Sequence, residues 1–143
     1  MNSNPVESAK TGLLGKDCAA VDESVLDCPL VAFYFSAHWC PPCRNFTPVL
    51  AEWYKEQNAS GKQIEIVFVT CDRDDAGFKS YFAEMPWVSL PFGDSRAGTF
   101  KSEMGCQGIP HLVIYKKDGT LVTKAGRNEM SGDPSGCIKK WMA

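Results

Sequence analysis

Trp39-Cys40-Pro41-Pro42-Cys43 is the stretch of sequence from which the fold can be predicted. The run that leads into it, Val31-Ala32-Phe33-Tyr34-Phe35, is short, apolar and rich in aromatic residues, which is typical of a buried strand. Pro41 and Pro42 suit the first turn of a helix, because backbone N–H groups there have no intrahelical partner. We therefore expect a buried strand, a polar turn and then a helix that begins at Pro41.

The spacing of the two cysteines indicates redox chemistry. Two thiols separated by two residues at the start of a helix are suited to making and breaking a disulfide with another molecule. Cys40 would lie just outside the helix N-terminus, where unpaired N–H groups and the helix dipole stabilise a thiolate. Cys43 would lie one turn inside the helix, more buried and within reach of the Cys40 sulfur. We predict Cys40 as the nucleophile and Cys43 as the resolving cysteine.

Two stretches, Phe35 to Arg44 and Met85-Pro86-Trp87-Val88-Ser89-Leu90-Pro91-Phe92, resemble the tryparedoxin and nucleoredoxin branch of the thioredoxin superfamily. Ordinary thioredoxins carry Gly-Pro between the cysteines and lack the second stretch. The resemblance runs from about residue 30 to about residue 127. It implies an α/β thioredoxin fold, with a central mixed β-sheet sandwiched by α-helices, and an enzyme that reduces protein disulfides by dithiol–disulfide exchange.

The resemblance also implies which residues meet a client protein. Trp39 would form a partly exposed apolar wall beside the nucleophile, with Pro41 next to it. The Ile109-Pro110 bond would be cis and face the cysteine pair, and only X-Pro bonds adopt the cis form at low energetic cost. The Ile109 backbone would pair with an extended client segment. His111 follows, where family members more often carry threonine. Its imidazole would either modulate the thiolate or point away along the strand.

Proton handling is where the chain departs from ordinary thioredoxins, which place a buried aspartate six residues before the first cysteine. That position is Tyr34, and a phenol of pKa about 10 is a poor base near neutral pH. Asp72 comes just after the predicted strand Ile64 to Thr70, at the sheet edge where the cysteines should lie, and tryparedoxins place an acidic residue there. We predict Asp72 either as the proton acceptor during resolution or as the N-cap of the next helix.

The remaining five cysteines are expected to be free thiols. The chain has seven cysteines, and only Cys40 and Cys43 are closely spaced, so a single redox pair is favoured over a disulfide framework. Cys71 should lie near the Cys40–Cys43 edge, either as an oxidisable thiol or as an inert one. The others would be small, partly buried hydrophobes: Cys18, Cys28, Cys106 and Cys137. One Cys-x-x-Cys could be half of a zinc site, but further cysteines or histidines at short spacing are missing, so we predict no metal and no bound cofactor.

Length and charge limit the remaining possibilities. With 143 residues, 44% of them hydrophobic, the chain is predicted to be one domain over 1–143, with residues 1–12 as a loose arm or short helix. The net charge is −2, and basic and acidic residues are interspersed, so the chain has no basic face that would bind nucleic acid or a membrane surface. The N-terminus lacks a signal pattern, and no stretch approaches the roughly 18 apolar residues of a membrane span. We expect a monomer of the cytoplasm or nucleus.

The other elements follow from periodicity and turn residues. We expect one or two short edge strands within 13–29, a helix over 41–58 bent at Pro48, a strand over 64–70 parallel to the first, and a helix over 72–84. A short extended segment over 88–92, a helix capped by Ser95 and ending at Met104, and a strand over 108–115 come next. A hairpin turn, a return strand over 120–123 and a final helix over 133–142 complete the prediction.

The sequence leaves the partners of the reaction open. An external reductant must restore the dithiol, and the resemblance implies trypanothione for tryparedoxins and glutathione or a reductase for nucleoredoxins. Peroxiredoxin-type peroxidases are among the clients that tryparedoxins imply. The alternative function is a redox-sensitive signalling adaptor, which would bind partners through its thiols with little turnover.

Overall fold

The computed structural model describes residues 4–143, and its centre is a five-stranded mixed sheet in the order β3-β2-β1-β4-β5. Strand β1 pairs in parallel with β2 and antiparallel with β4, while β3 is parallel to β2 and β5 antiparallel to β4. The strands are β1 Leu30–Ser36, β2 Ile64–Thr70, β3 Val88–Ser89, β4 His111–Lys116 and β5 Leu121–Thr123. The helices are α1 Pro5–Ser8, α2 Pro41–Gln57, α3 Asp75–Phe82, α4 Arg96–Glu103, α5 Gly126–Gly132 and α6 Cys137–Met142.

Strand β1 lies between two apolar layers, which explains why its sequence is apolar at successive positions. Leu30, Ala32 and Tyr34 face a core that includes residues from α2, α3 and α6. Val31, Phe33 and Phe35 face a second core that includes residues from α1 and α4. All seven residues of β1 are buried, as expected for a strand covered on both faces. The predicted sandwich of helices around a mixed sheet is confirmed.

The segment before β1 differs from the prediction. Residues 5–8 form a single helical turn, and Val6 is buried against the second core; residues 1–3 of the predicted arm lie outside the described residues. The expected edge strands within 13–29 are wrong. Leu14 makes only isolated bridges, to Ala20 and Ser89, and two short 3₁₀ turns fill much of the rest of the segment. Asp17 has a positive φ, a turn conformation that interrupts any extended run.

Helix ends differ from the prediction where capping residues compete. Helix α3 begins at Asp75 rather than at residue 72, because the Asp74 carboxylate accepts the Gly77 N–H and caps it. The final helix predicted over 133–142 begins only at Cys137, as α6, and the helix before it, α5, was not predicted. Asp133, with φ −148°, ends α5, and Pro134 follows it. Helix α2 continues through Pro48 as one helix, as predicted, while the bend expected at Pro48 stays a prediction.

Smaller differences from the prediction concern β3, β4 and α4. Strand β3 has only two residues, and β4 begins at His111, directly after Pro110, because a proline has no N–H to offer the ladder. Helix α4 starts after Ser95 as predicted, but without a capping bond from that side chain. Across residues 4–143, no helix is both long enough and apolar enough to cross a bilayer.

Candidate active site

The two cysteines of the motif lie where the chain passes from β1 into α2. Cys40 is the N-cap of α2, and its sulfur accepts a hydrogen bond from the Cys43 N–H at 3.4 Å. A disulfide bond joins the two residues, with their Cα atoms 5.2 Å apart. Cys40 is 5% exposed and Cys43 is fully buried. Cys40 is therefore the slightly more accessible of the two, and because residues 41 and 42 are prolines without an N–H, the Cys43 N–H is the first-turn donor that reaches its sulfur.

Trp39 forms an exposed wall next to this pair. Its side chain is 49% exposed, and its indole N–H donates to the Cys71 carbonyl oxygen at 3.2 Å. The Arg73 guanidinium lies 4.7 Å from the centre of the ring. A ring held at its N–H edge and on one face keeps its orientation and leaves the other face for a client. Pro41, the first residue of α2, is also exposed.

Ile109 and Pro110 approach the cysteines from the other side of the site. The Ile109-Pro110 peptide bond is cis, as the family resemblance implied. The Ile109 carbonyl oxygen lies 3.9 Å from the Cys40 sulfur, and Ile109 packs against the cysteine pair. His111 is turned to the second core, where its ring packs on Phe35 and its Nε2 lies 3.2 Å from the Met104 carbonyl oxygen.

Asp72 connects the end of β2 to the turn before Cys40. One carboxylate oxygen accepts the His38 N–H at 2.8 Å, and the other accepts the Thr70 hydroxyl at 2.8 Å. Asp72 and Trp39 line the same cavity of about 250 Å³, and Asp72 is partly exposed, so the carboxylate lies at the edge of the site. The helix-capping alternative is wrong, because Asp74 fills that role.

A chain of buried hydroxyl groups includes the position where thioredoxins carry an aspartate. The Tyr34 hydroxyl lies 2.6 Å from Thr47 Oγ1, which bonds to the Tyr81 hydroxyl, which lies 2.6 Å from Ser36 Oγ. Burial raises the pKa of Tyr34, so this phenol stays neutral. Sequence reasoning missed Thr47, Ser36 and Tyr81. The available signal was spacing, since Thr47 lies four residues after Cys43 on α2 and Ser36 two after Tyr34 on β1.

Cys71 lies where the sequence predicted, packed against Ala37, Cys40 and Cys43. It is a free thiol, as are Cys18, Cys28, Cys106 and Cys137. Burial raises the pKa of Cys71 to about 11. Among residues 4–143, no three His, Cys, Asp or Glu side chains are grouped to hold a metal ion.

Comparison with known proteins begins with a family model described as Thioredoxin-like, which matches residues 29–121. Nucleoredoxin of Danio rerio is 41% identical over 130 residues, which are 90% of this chain and 31% of that protein. Tryparedoxin of Trypanosoma brucei brucei is 38% identical over 113 residues, 78% of each chain. The chain thus spans about a third of the vertebrate nucleoredoxins and most of a tryparedoxin.

Solved structures of tryparedoxins have the same fold. Tryparedoxin from Trypanosoma brucei superposes with a TM-score of 0.84 at 33% identity, over 96% of this chain and 97% of that one. Tryparedoxin I from Crithidia fasciculata superposes with a TM-score of 0.83 at 39% identity, over 93% and 92%. A third structure, at 34% identity and a TM-score of 0.81 over 88% of each chain, is tryparedoxin II complexed with glutathionylspermidine.

Proposed function

The chain belongs to the thioredoxin-like family, on the branch of the nucleoredoxins and tryparedoxins, and from this premise we propose that it reduces disulfide bonds in client proteins. The observation that carries the proposal is the Cys40–Cys43 disulfide at the start of α2, with Cys40 slightly exposed and Cys43 fully buried. A pair built in this way exchanges electrons with a partner that reaches only one of its sulfurs.

The reaction proceeds through a mixed disulfide. The Cys40 thiolate attacks one sulfur of the client disulfide, a new S–S bond forms, and the other client sulfur leaves as a thiolate. The Cys43 thiol loses its proton and attacks Cys40 Sγ, which expels the second client sulfur and closes the Cys40–Cys43 disulfide. Two electrons pass to the client. The Cys43 N–H, 3.4 Å from Cys40 Sγ, supports negative charge on the outer sulfur.

Four residues around the outer sulfur bind the client in this proposal. Trp39 and Pro41 offer exposed apolar surface on one side. Ile109 and Pro110 offer a stretch of backbone on the other, and the Ile109 carbonyl lies close enough to Cys40 to align an extended client segment with the attacking sulfur. Asp72 is the proposed acceptor of the Cys43 proton, supported by its partly exposed place beside His38 and Trp39, in the turn that leads into Cys40.

A low-molecular-weight thiol or a reductase returns the electrons. Support for a peptidyl thiol is the related tryparedoxin II structure, which is complexed with glutathionylspermidine. We propose trypanothione, glutathione or a flavoprotein reductase as the donor, and peroxiredoxin-type peroxidases among the clients. The oxidised protein is mixed separately with each donor, and reduction of the Cys40–Cys43 disulfide is followed over time. The donor that reduces it fastest is the functional one.

A turnover assay tests the proposal against the adaptor alternative. The protein is given a disulfide-bonded client protein in large excess, together with the fastest donor. A reductase converts many client molecules per protein molecule, and Cys40→Ser abolishes that turnover while Cys18→Ser, a half-exposed free cysteine away from the site, keeps it. Binding of one client per molecule without further conversion would identify an adaptor and overturn the reductase proposal.

A further inference from the structure

Two free cysteines outside the motif line one cavity beside it. The cavity, about 340 Å³ in volume, is bounded by Trp39, Cys71, Arg73, Lys101, Cys106 and the backbone from Gln107 to Ile109. We refer to it as the thiol cavity. It shares the walls Trp39 and Ile109 with the proposed client site, and Cys71 in its lining packs against the cluster that holds Cys40 and Cys43.

Each thiol has a fixed place in this cavity. Cys71 follows β2, its N–H donates to the Ser36 carbonyl oxygen at 2.8 Å, and its side chain packs on Cys40 and Cys43. Cys106 lies in the loop after α4, and its Sγ is 3.5 Å from the Gly108 carbonyl oxygen. Both thiols are half-buried and free. One thiol thus lies against the cluster that contains the redox pair, and the other lines the same cavity.

The chemistry of these thiols differs from that of Cys40. Burial raises the pKa of Cys71 to about 11, and it also raises the pKa of Cys106. A negative charge on Cys106 would raise the pKa of Cys71 further. The positive charge of Lys101 lowers the pKa of both thiols, but by less than burial raises it. Reduced Cys40, by contrast, is stabilised as a thiolate by the start of α2. A dithiol whose reduced form lacks such stabilisation is the stronger reductant of two pairs.

Building on the proposed function, we propose that Cys71 and Cys106 form a second dithiol that reduces the Cys40–Cys43 disulfide within the same molecule. The Cys71 thiolate attacks Cys40 Sγ, and Cys43 leaves as a thiolate. The Cys106 thiolate then attacks Cys71 Sγ, and Cys40 leaves. Two electrons pass to the redox pair, the two protons lost by Cys71 and Cys106 balance those gained by Cys40 and Cys43, and a Cys71–Cys106 disulfide remains.

The consequence is a doubled electron capacity. A fully reduced molecule holds four electrons, so it reduces two client disulfides before it needs an external donor. The first comes from the Cys40–Cys43 dithiol directly, and the second after electrons have moved across from the thiol cavity.

The number of peptide disulfides that one protein molecule reduces tests the second dithiol. Fully reduced protein is freed of reductant, mixed without oxygen with an excess of a peptide that contains one disulfide, and quenched with acid and an alkylating agent. The parent should reduce two peptides per molecule, and peptide mapping should find Cys71 joined to Cys106. Cys71→Ser and Cys106→Ser should each reduce one, whereas the matched control Cys18→Ser should reduce two.

The outcomes separate the two proposals. If the parent reduces one peptide, and Cys71 and Cys106 remain thiols while Cys40 and Cys43 are joined, the second dithiol is wrong and the reductase proposal stands. Peptide attached to Cys71 or Cys106 without a bond between them also contradicts it. If the Cys40–Cys43 disulfide itself fails to form, the proposed function is wrong and the second dithiol falls with it.

Discussion

Asp72 is the residue whose surroundings say most about the turn that presents Cys40. Its two carboxylate oxygens hold the His38 N–H and the Thr70 hydroxyl, so it ties the end of β2 to the segment that leads into the nucleophile. Positioning of this turn and acceptance of the Cys43 proton are separate roles. An asparagine at position 72 separates the two roles. Its amide oxygen still accepts a hydrogen bond, so it can position the turn, but it does not serve as a base near neutral pH.

Replacing Asp72 by asparagine should therefore slow release of the client from the mixed disulfide. The expected loss is about tenfold to a hundredfold, at the lower end of what a positioned base contributes. Rapid-quench measurement of client release gives the rate, and urea unfolding checks that stability is preserved. A variant that releases the client as fast as the parent would leave Asp72 only its positioning role.

Thr47 is the hydroxyl on which the buried network depends, since it lies between Tyr34 and Tyr81. Thr47→Val keeps the shape but removes the hydroxyl that bonds to both Tyr34 and Tyr81 in a buried site, which should cost about 1–3 kcal/mol. Tyr34→Phe removes one hydroxyl, while the hydrogen bond between Thr47 and Tyr81 remains, so the free energy of unfolding should fall by about 1 kcal/mol. Urea unfolding of both variants measures this order. A larger loss in Tyr34→Phe than in Thr47→Val would show that the network is not built around Thr47.

At the scale of elements, a buried carboxylate joins α2 to β2 at the end of the sheet away from the cysteines. Glu65, 3% exposed, accepts the Tyr54 hydroxyl at 3.0 Å and pairs with Lys62 at 2.6 Å. Burial nevertheless raises the pKa of Glu65 above its usual 4.5. Ionising this group therefore costs more in the folded protein than in the unfolded chain.

The sign of the resulting pH dependence follows from linkage. As pH rises, the unfolded chain loses the Glu65 proton first, so the stability that protonated Glu65 contributes is complete below about pH 4.5 and is lost as pH approaches the folded-state pKa. Glu65→Gln does not titrate. The free energy of unfolding of the parent minus that of the variant should therefore fall between pH 4 and 7, measured by urea unfolding. A difference that rises over that range would contradict the assigned direction.

For the molecule as a whole, sequence reasoning was most successful where one local pattern decides the structure. The apolar run into Cys40 predicts β1 because a strand covered on both faces has no polar side, and the proline pair marks the start of α2. The parallel neighbour β2 then places Cys71 and Asp72 at the edge that holds the cysteines. Those positions were predictable because the carboxyl ends of parallel strands meet.

What could not be predicted depends on contacts between distant segments. Leu14 pairs only with single residues, Ala20 in its own segment and the distant Ser89, so no strand forms within 13–29. The side chain that caps α3 was misjudged by two residues, since Asp72 and Asp74 are equally good capping residues and only Thr70 and His38 decide between them. Cys106 joins the site through the loop between α4 and β4, and its sequence gives no sign of that.

The central claim is that Cys40 forms the bond to the client and Cys43 breaks it. The most direct test is Cys43→Ser, made together with Cys71→Ser so that no neighbouring thiol can release the client, and mixed with a disulfide-bonded client protein. Mass spectrometry of the digested complex should find the client attached to Cys40, and Cys40→Ser should trap nothing. A client attached to a different cysteine, or a Cys43→Ser, Cys71→Ser protein that turns over at the parental rate, would contradict it.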